Sequence, residues 1–574
     1  MDATVRDSEF DKDEVFAMAE WKEKEKVLVG HRSGLLYECP SHGQEVEEPE
    51  LVGQVPGLCG LATSPDGEHM VIATGQGKLI QLNSEYEVLA EVELGEGFEK
   101  MPVTITWRGD GKFVATSSSH GGSRAIKVWE RDGLVHHSDG EVDSRVGEAL
   151  SWEPRGGLLA VAAEEGGAVQ MLERNGLRRG GLVLQQSQYI IQQLCWNADS
   201  EILGVLLEHK DGMGVGDAPR QVEDDVPFRQ KMVVQLWHRC NHHWYLKWQE
   251  PIGGPAQLLW DDTDAKTLHI FSRVEEGWTS IKFVWDDATV TQLGTTVTTD
   301  GSTLLLNSFM KAIIPPPMCN VAILCRAPIT AVCASTFADQ ECIAAVLSSK
   351  VLAIAISEAC GNWNTLLADA SEGSLVDAVD GVVHAKEATL ELPKQWFVRQ
   401  VSWQGPQKVL LLVDDFSTGA LCERLVSFEI SWGDSSTMMA DMVQNTCLND
   451  ILGCTGKTVA RVTSMAGGDS DGVLISIVDK RQKNSPGGHL SSVASFDGSQ
   501  LLELGKCRGC CHWLLPLKAD RNGLASFAAR SADRELFIGG ELVASNVRSF
   551  GCHFAGEEPT VLYVTGDNVL HSLR

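Results

Sequence analysis

The chain has 574 residues, 43% hydrophobic and 22% charged, a composition that supports folded cores and excludes wholesale disorder. Its net charge of −30, from 48 basic and 78 acidic residues, disfavours autonomous binding to nucleic acid. No apolar run reaches the roughly 18 residues of a membrane span, and residues 1–20 lack the pattern of a signal peptide. The 16 cysteines therefore predict reduced thiols in a cytoplasmic or nuclear protein.

The first half of the chain carries an internal repeat. An acidic segment, 1–25, precedes an incomplete copy at 26–38, and five fuller copies follow. Each copy has an apolar residue two positions before an anchor, then a polar turn and a run of Val, Ile, Leu, Phe or Ala, which predicts strand, turn, strand. The anchors recur about every 40–45 residues, apart from one longer interval, and they are Ser64, Trp107, Trp152, Trp196 and Trp260.

A second element follows each anchor and predicts a third strand. These elements lie at 78–82, 125–133, 168–176, 233–241 and 281–287. A fourth strand fits before the next copy, and four strands in about 40–45 residues are the period of a β-propeller blade. The one long interval contains residues 209–231, a polar segment that we interpret as a surface loop.

The second half shows a weaker pattern of the same kind. Trp403 anchors one clear copy, and we count about six units in all. Segments 362–390 and 434–450 are interpreted as long loops, with room for one short helix, and no closing strand is evident before Arg574. Pro315–Pro317 cannot sit in a central strand and mark a crossover. The prediction is an all-β chain of two tandem WD40-type propellers with four-stranded antiparallel blades, at 26–325 and 326–574.

An ordered set of motifs also carries a family resemblance. ITWRGDGKF, IKVWERDG, ALSWEPRGGLLA, LCWNADSEIL, VQLWHRCNHHWYLK, IIPPPMC and ELVASNVRSF occur in that order. The set, above all NHHWYLK followed by PPPMC, resembles the N-terminal half of the largest subunit of the Elongator complex. The resemblance runs from about residue 26 to the end of the chain, with gaps.

The resemblance implies two WD40-type propellers followed by a long helical half. It implies a scaffold that holds a radical-SAM, acetyltransferase-like catalytic subunit and another propeller subunit, in a complex that modifies carbon 5 of wobble uridines in transfer RNA. In the family the helical half mediates dimerisation and binds transfer RNA. Without that half, this chain is expected to be monomeric and to meet transfer RNA at most indirectly. The expected location is the cytoplasm, with a nuclear pool as an open alternative.

Two cysteine- and histidine-containing clusters are candidates for metal binding. Cys507, Cys510, Cys511 and His512 form the most metal-like group, but no second pair lies at zinc-finger spacing. His238, His242 and His243 surround one strand end without an accompanying carboxylate. Buried thiols and strand-end histidines are the favoured interpretation, and we predict neither a metal nor a cofactor.

The remaining candidates are equally weak. Gly456–Thr458 reads Gly-Lys-Thr, but Ile451 stands where a phosphate-binding loop requires glycine. The pairs Asp261–Asp262 and Asp414–Asp415 are interpreted as solvated turn residues. The densest basic spots lack interleaved aromatic residues, so a solvated face is favoured over RNA contact; they comprise Lys22, Lys24, Lys26, Arg174, Arg178 and Arg179.

The leading hypothesis is therefore a non-catalytic scaffold, in which Trp107, Trp152, Trp196, Trp260 and Trp403 are structural blade anchors and no residue is catalytic. Loops on a rigid ring, including 209–231, are the expected contact surfaces. Two alternatives stay open: an unrelated WD40 adaptor, and a propeller hydrolase with convergent carboxylates and a cation in its channel.

Overall fold

The chain divides into two compact units, which are Met1–Trp244 with Glu250–Ile281 and Tyr245–Gln249 with Lys282–Arg574. The computed structural model describes residues 15–573 except 22–25, 32, 41–49, 143–144, 165, 185–187, 211–231, 241–242, 253–254, 262–264, 273–276, 283–288, 292, 313, 315–316, 338–339, 358–377, 418–420, 433–437, 453–456, 465–472, 480–489, 497–499, 509–510, 520–524, 532–533 and 555–558.

Strands β1 to β23 form six sheets. The first three are β1 (Val15–Trp21), β2 (Lys26–His31), β3 (Leu35–Pro40), β4 (Glu50–Gln54); β5 (Leu58–Thr63), β6 (His69–Thr74), β7 (Lys78–Asn83), β8 (Val88–Glu93); and β9 (Thr104–Trp107), β10 (Phe113–His120), β11 (Ser123–Glu130), β12 (Val135–Asp139). The next three are β13 (Val146–Trp152), β14 (Leu159–Ala163), β15 (Ala168–Leu172), β16 (Arg178–Val183); β17 (Tyr189–Trp196), β18 (Ile202–His209), β19 (Met232–Cys240), β20 (His243–Ile252); and β21 (Ala256–Trp260), β22 (Thr267–Ser272), β23 (Gly277–Lys282).

The remaining strands and the one described helix follow. They are β24 (Thr289–Val290), β25 (Thr295–Asp300), β26 (Thr303–Ser308), β27 (Cys319–Leu324), β28 (Ile329–Phe337), β29 (Gln340–Leu347), β30 (Val351–Ile356), β31 (Ala378–His384), β32 (Lys386–Glu391), β33 (Trp396–Gly405), β34 (Lys408–Asp415), β35 (Cys422–Trp432), β36 (Met438–Cys447), α1 (Leu448–Leu452), β37 (Lys457–Ser464), β38 (Val473–Asp479), β39 (Leu490–Phe496), β40 (Leu501–Arg508), β41 (Cys511–Ala519), β42 (Ala525–Ser531), β43 (Leu536–Ile538), β44 (Glu541–Ala544), β45 (Val547–Phe554), β46 (Pro559–Thr565) and β47 (Leu570–Leu573).

The sheets of the first unit are antiparallel meanders, in which each strand lies beside its neighbour in sequence. In the sheet β9–β12, for example, each strand pairs with the next along the chain. The predicted third strands at 78–82, 125–133, 168–176 and 233–241 are β7, β11, β15 and β19, each third in its sheet.

The core lies between successive sheets, because each sheet is apolar on both faces. Neighbouring residues of a strand point to opposite faces. On β6, Met70 and Ile72 join a cluster with Leu28 of the first sheet. Val71 of the same strand joins a different cluster with Trp107 of the third sheet. A lone sheet would leave both of these faces in water, so a sheet with two neighbours depends on both of them.

The first strands of consecutive sheets adjoin within each unit. In the first unit β1 contacts β5, β5 contacts β9, and the series continues through β13, β17 and β21. In the second unit β24, β28, β33, β37, β41 and β45 form the same kind of series. Four-stranded sheets stacked with their first strands around an axis are the construction of a β-propeller.

Three predictions from the sequence need correction. Residues 15–21 of the segment 1–25 form β1, which pairs with β2. Parts of the expected loops are strands: β31 and β32 lie within 362–390, and β36 lies within 434–450. Buried and exposed side chains alternate along β36, as expected of a strand: Met438 and Ala440 are buried, and Met439 between them is exposed.

The boundary between the units also differs from the predicted one at 325/326. Residues from Lys282 onward belong to the second unit. The sheet β24–β27 packs its apolar residues against β29 and β30, in a cluster that includes Leu304 and Ile343. In addition, β27 pairs with β31 in parallel. Pairing between segments so distant in sequence is invisible to a local pattern.

Candidate functional site: an arginine cleft

The five anchor tryptophans lie in edge strands of their sheets. Trp107, Trp152, Trp196 and Trp260 end β9, β13, β17 and β21, and Trp403 lies in β33; all five are buried. The indole Nε1–H of Trp107 donates to the carbonyl of Ala62 in the preceding sheet (3.3 Å). Trp260 donates in the same way to Cys195 of its preceding sheet (3.2 Å). These anchors therefore join one sheet to the sheet before it.

A tight turn follows each anchor tryptophan in the first unit. The residue after the tryptophan donates its N–H to a carbonyl at the start of the next strand or one residue before it, as Arg108 does to Phe113 (2.9 Å) and Glu153 does to Leu158 (2.8 Å). Strands alternate in direction, so the connection after a first strand and the connection after a third strand lie at the same end of a sheet. Turns from several sheets consequently gather at one end of the unit.

A cavity of 740 Å³ opens at that end of the first unit, and we name it the arginine cleft. Its lining comes from turns after first strands, from the turn after β15, from the start of β16 and from the end of β19. Four arginines outnumber two glutamates in a chain whose overall balance is strongly acidic. The lining residues are Arg108, Glu153, Gly156, Gly157, Leu158, Glu173, Arg174, Arg179 and Arg239.

Two of the four arginines are held by carboxylates nearby. The Arg108 guanidinium binds both carboxylate oxygens of Asp110 and lies 4.7 Å from the centre of the Phe113 ring. The hydrogen bond from Arg108 lowers the pKa of Asp110, against the opposing effect of burial. Arg179 donates to Glu173 through its Nε. The charges of Arg108 and Arg179 are thus largely compensated.

Arg174 and Arg239 have no carboxylate partner among the residues that the structure describes. The Arg174 guanidinium lies 5.7 Å from the centre of the Phe113 ring. Its backbone is fixed, because Ser138 Oγ donates to the Arg174 carbonyl at 2.9 Å. Arg239 is half-buried at the end of β19. The cleft therefore offers two guanidinium groups to an incoming anion.

Close packing of backbone fixes the distance between two turns beside the cleft. A Cβ atom on Gly109 would lie 1.5 Å from the carbonyl oxygen of Pro154 in the next sheet's turn. Only glycine permits this approach. The positions of Arg108 and Glu153 relative to each other depend on it, because both residues lie in these turns.

The comparisons with known proteins agree with this architecture. The model described as "ELP1 first N-terminal beta-propeller" matches residues 1–101 and 95–263, and "ELP1 N-terminal second beta-propeller" matches residues 298–573. The chain belongs to the Elongator subunit 1 propeller family. Its two units are the first and second propellers of that family, in the family's order.

Relatives of the Elongator subunit 1 family share the name "Elongator complex protein 1". The rat protein is 29% identical over 377 residues, covering 56% of this chain and 27% of the relative. The Arabidopsis thaliana protein is 27% identical over 375 residues, covering 60% and 26%. The matched region is thus about a quarter of each relative's length. Among solved structures, hydrazine synthase of Kuenenia stuttgartiensis aligns at 13% identity and a TM-score of 0.37, covering 62% of this chain and 99% of that one.

Neither metal candidate is described completely in this member of the Elongator subunit 1 family. Cys507 lies one residue before the end of β40 and Cys511 begins β41. Both are buried in one apolar cluster, and burial raises the pKa of the Cys507 thiol to about 12. Cys510 and His242 lie outside the described residues. His238 is buried in β19 and His243 begins β20. Within the described part of the chain, no three His, Cys, Asp or Glu side chains are placed to hold a metal ion.

Several of the other predicted spots are described only in part. Lys457 and Thr458 begin β37, while Gly456, Lys22, Lys24 and most of the loop 209–231 lie outside the described residues. Lys26 pairs with Glu38 in the first sheet and does not line the cleft. Among described residues, the structure contains no helix long and apolar enough to cross a membrane.

The interpretation of Asp414–Asp415 as solvated turn residues was wrong. Both residues end β34 and are buried, at 5% and 3% exposure. Asp414 Oδ1 lies 3.0 Å from Arg399 Nε, and Asp415 Oδ2 lies 2.6 Å from Arg424 Nε. Opposite charges from neighbouring strands make this burial possible. Of the other pair, Asp261 lies 3.3 Å from His269, and Asp262 lies outside the described residues.

The sequence pointed to Arg174 and Arg179 but missed Arg108 and Arg239. Each of these two follows an anchor or a third-strand tryptophan, in WRGDGK and WHRC. That position places a residue at the turn end of its sheet, which is where the cleft opens. Comparing equivalent positions across the repeats would have grouped Arg174 with Arg239, because both stand at the same position of the third-strand pattern, in VQMLER and VQLWHR.

Proposed function

We propose that this chain is the propeller part of a non-catalytic scaffold in the Elongator complex. It would position the catalytic radical-SAM, acetyltransferase-like subunit and a second propeller subunit while carbon 5 of the wobble uridine of transfer RNA is modified. The observation that supports this most is the pair of family models, which match both propellers in order. The relatives' shared name supports the same assignment.

The physical character of two thiols in the first unit supports a structural role. Burial raises the pKa of Cys59 to about 11 and that of Cys195 to about 12. Neutral, buried thiols are poor nucleophiles and act as small apolar packing groups. Recognition by a propeller instead uses the turns and loops at the ends of its sheets.

Affinity purification from cells that make the protein tests this proposal. The full chain carries a tag, and co-purifying proteins are identified by mass spectrometry, with the tag alone as control. We expect the catalytic subunit and a second propeller protein to be enriched over the control. Recovery of an unrelated, reproducible set of proteins instead would favour a WD40 adaptor and contradict the Elongator assignment.

We also propose a cytoplasmic location, which follows from where a transfer-RNA-modifying scaffold is expected to work. A fluorescent fusion of the full chain, imaged with a nuclear stain, measures its distribution. Signal confined to the nucleus would contradict this proposal without affecting the purification result.

A further inference from the structure

The arginine cleft is a local reversal of the protein's charge. The chain has 78 acidic and 48 basic residues, yet the cleft is lined by four arginines and two glutamates. Guanidinium groups present several donors in a rigid, planar arrangement that matches the two oxygens of a carboxylate. A concentration of such groups in a concave site indicates an anionic ligand.

Two arginines supply the binding capacity. Asp110 compensates Arg108 and Glu173 compensates Arg179. Within the described residues, Arg174 and Arg239 pair with no carboxylate, and they come from different sheets of the first unit. The hydrogen bond from Ser138 to the Arg174 backbone and the contact of its side chain with Phe113 restrict Arg174 before any ligand arrives. Preorganisation of this kind lowers the entropy lost on binding.

The volume of the cleft and the residues around it indicate which class of anionic ligand it binds. A volume of 740 Å³ lies within the range of about 300–1,000 Å³ that is typical of binding pockets. Phe113, the ring closest to these arginines, already contacts two guanidinium groups, at 4.7 and 5.7 Å. It is not a free platform for stacking a base.

We propose that the arginine cleft binds a short acidic peptide segment of another protein, whose carboxylates pair with Arg174 and Arg239. Arg clusters of this kind recognise acidic motifs in proteins through charge-assisted hydrogen bonds. The proposal stands on the geometry of the first propeller and does not depend on the Elongator assignment.

Peptide binding to the purified full chain tests the proposal. The probe is a fluorescein-labelled peptide of alternating Glu and Gly, and its Gln counterpart removes only the charges. Fluorescence anisotropy is measured for the unaltered chain and for Arg174→Ala, Arg239→Ala and the double variant. We expect each single change to weaken binding by about tenfold, the usual effect of losing one charge-assisted pair. The Gln peptide should not bind.

Arg155→Ala is the matched control. Arg155 lies in the turn after β13, is 60% exposed and pairs with Asp199 at 2.8 Å, but it does not line the cleft. This variant loses the same charge at the same end of the unit. Because Arg155 does not line the cleft, its affinity for the Glu peptide should stay within twofold of that of the unaltered chain. Arg174→Lys keeps the charge without the planar donors and should bind with intermediate affinity.

Two results would overturn the proposal. One is equal affinity of the Glu peptide for the unaltered chain and the double variant, with unchanged thermal unfolding. The other is tighter binding of a single-stranded oligouridine than of the Glu peptide, weakened by the same arginine substitutions. Neither result bears on the purification experiment, so the two proposals fail separately.

Discussion

The sulfur atoms of Cys422 and Cys447 lie 3.0 Å apart on neighbouring strands, although the two residues are not opposite each other in register. Cys447 pairs with Arg424, and Cys422 pairs with Asp415 on the other side of β35. Both thiols are free and half-buried. Burial and the hydrogen bond with Cys447 raise the pKa of Cys422 to about 11. The two sulfur atoms are therefore held in contact where β36 meets α1.

Oxidation should convert this contact into a disulfide. Hydrogen peroxide accepts the two electrons and two protons that the thiols lose, and is itself reduced to water. A bond that closes a loop of 25 residues should raise the free energy of unfolding by about 3 kcal/mol. The reaction should be faster at pH 9 than at pH 7, because the thiolate is the attacking form. Peptide mapping without reduction detects the linked peptides.

Cys447→Ser is the control for this prediction. It should abolish the linked peptides and the gain in stability, and leave the unoxidised protein's unfolding nearly unchanged. Oxidised protein in which both thiols still react with iodoacetamide would contradict the prediction.

A buried ion network joins consecutive sheets of the second unit. Arg399 on β33 donates to Glu423 (2.8 Å) and to the carbonyl of Val459 in the next sheet (2.6 Å), and Glu423 accepts from the Val459 N–H (2.9 Å). Arg399→Ala leaves buried carboxylates without their cation. We expect it to lower the free energy of unfolding by about 3–5 kcal/mol, measured by urea titration.

Arg548→Ala is the matched comparison in the same unit. Arg548 makes an exposed hydrogen bond to Asn568 at 2.8 Å, so its loss should cost less than about 0.5 kcal/mol. Adding Glu423→Gln to Arg399→Ala should recover part of the loss, since it removes one unpaired charge. Equal costs for the two single arginine variants would show that the network adds no stability.

Stability should decline in acid because of carboxylates such as Asp110. The hydrogen bond from Arg108 holds the pKa of Asp110 below its ordinary value, although burial opposes this, and the backbone N–H of Lys112 adds to the effect. A group whose pKa is lower in the folded state stabilises the fold above its unfolded pKa, near 4 for aspartate. That contribution disappears as the pH falls through the folded pKa.

Thermal unfolding between about pH 5 and pH 2.5 measures this dependence. Asp110→Asn should be less stable than the unaltered chain at pH 7, and the difference should shrink as the pH falls. A difference that stays constant over this range would exclude Asp110 as a source of the acid sensitivity.

The close approach of Gly109 to Pro154 should make the fold sensitive to a larger residue at position 109. Gly109→Ala places a methyl group where the Pro154 carbonyl stands, 1.5 Å from the new atom. The two turns must separate, which should cost at least 1–3 kcal/mol, about the range for overpacking. Gly53→Ala is the control, because nothing lies within 4 Å of its Cβ position. Equal thermal midpoints for the two variants would contradict the close approach.

Local pattern was sufficient to predict the strand, turn and strand around the anchor tryptophans of the first propeller. Strand, turn and strand around Trp107 or Trp152 depend on neighbouring residues, and the structure has them where alternation and turn residues indicated. The second unit differs more from the prediction, because some of its strands pair with strands that are distant in sequence. β27 pairs with β31, and β32 meets β36, across long separations in sequence.

The sequence analysis found only two of the four arginines of the cleft, again because the other two come from segments that are distant in sequence. Arg174 and Arg179 are adjacent enough to stand out as a basic spot, but Arg108 and Arg239 join them only when the sheets stack. The burial of Asp414 was likewise hidden, because its partner Arg399 lies on the neighbouring strand. An aspartate pair in the sequence carries no information about the cation opposite it.

The anchor tryptophans differ in whether the indole N–H has a hydrogen-bond acceptor. Trp260 donates its indole N–H to Cys195 at 3.2 Å, whereas the Trp152 Nε1 finds no acceptor among the described residues. Replacing either with phenylalanine removes a similar apolar area. Only Trp260→Phe also removes a hydrogen bond, while Trp152→Phe removes a buried donor that was unpaired. We expect Trp260→Phe to cost about 1 kcal/mol more, by urea titration. Equal costs would mean that the indole N–H contributes nothing and that these anchors act through packing alone.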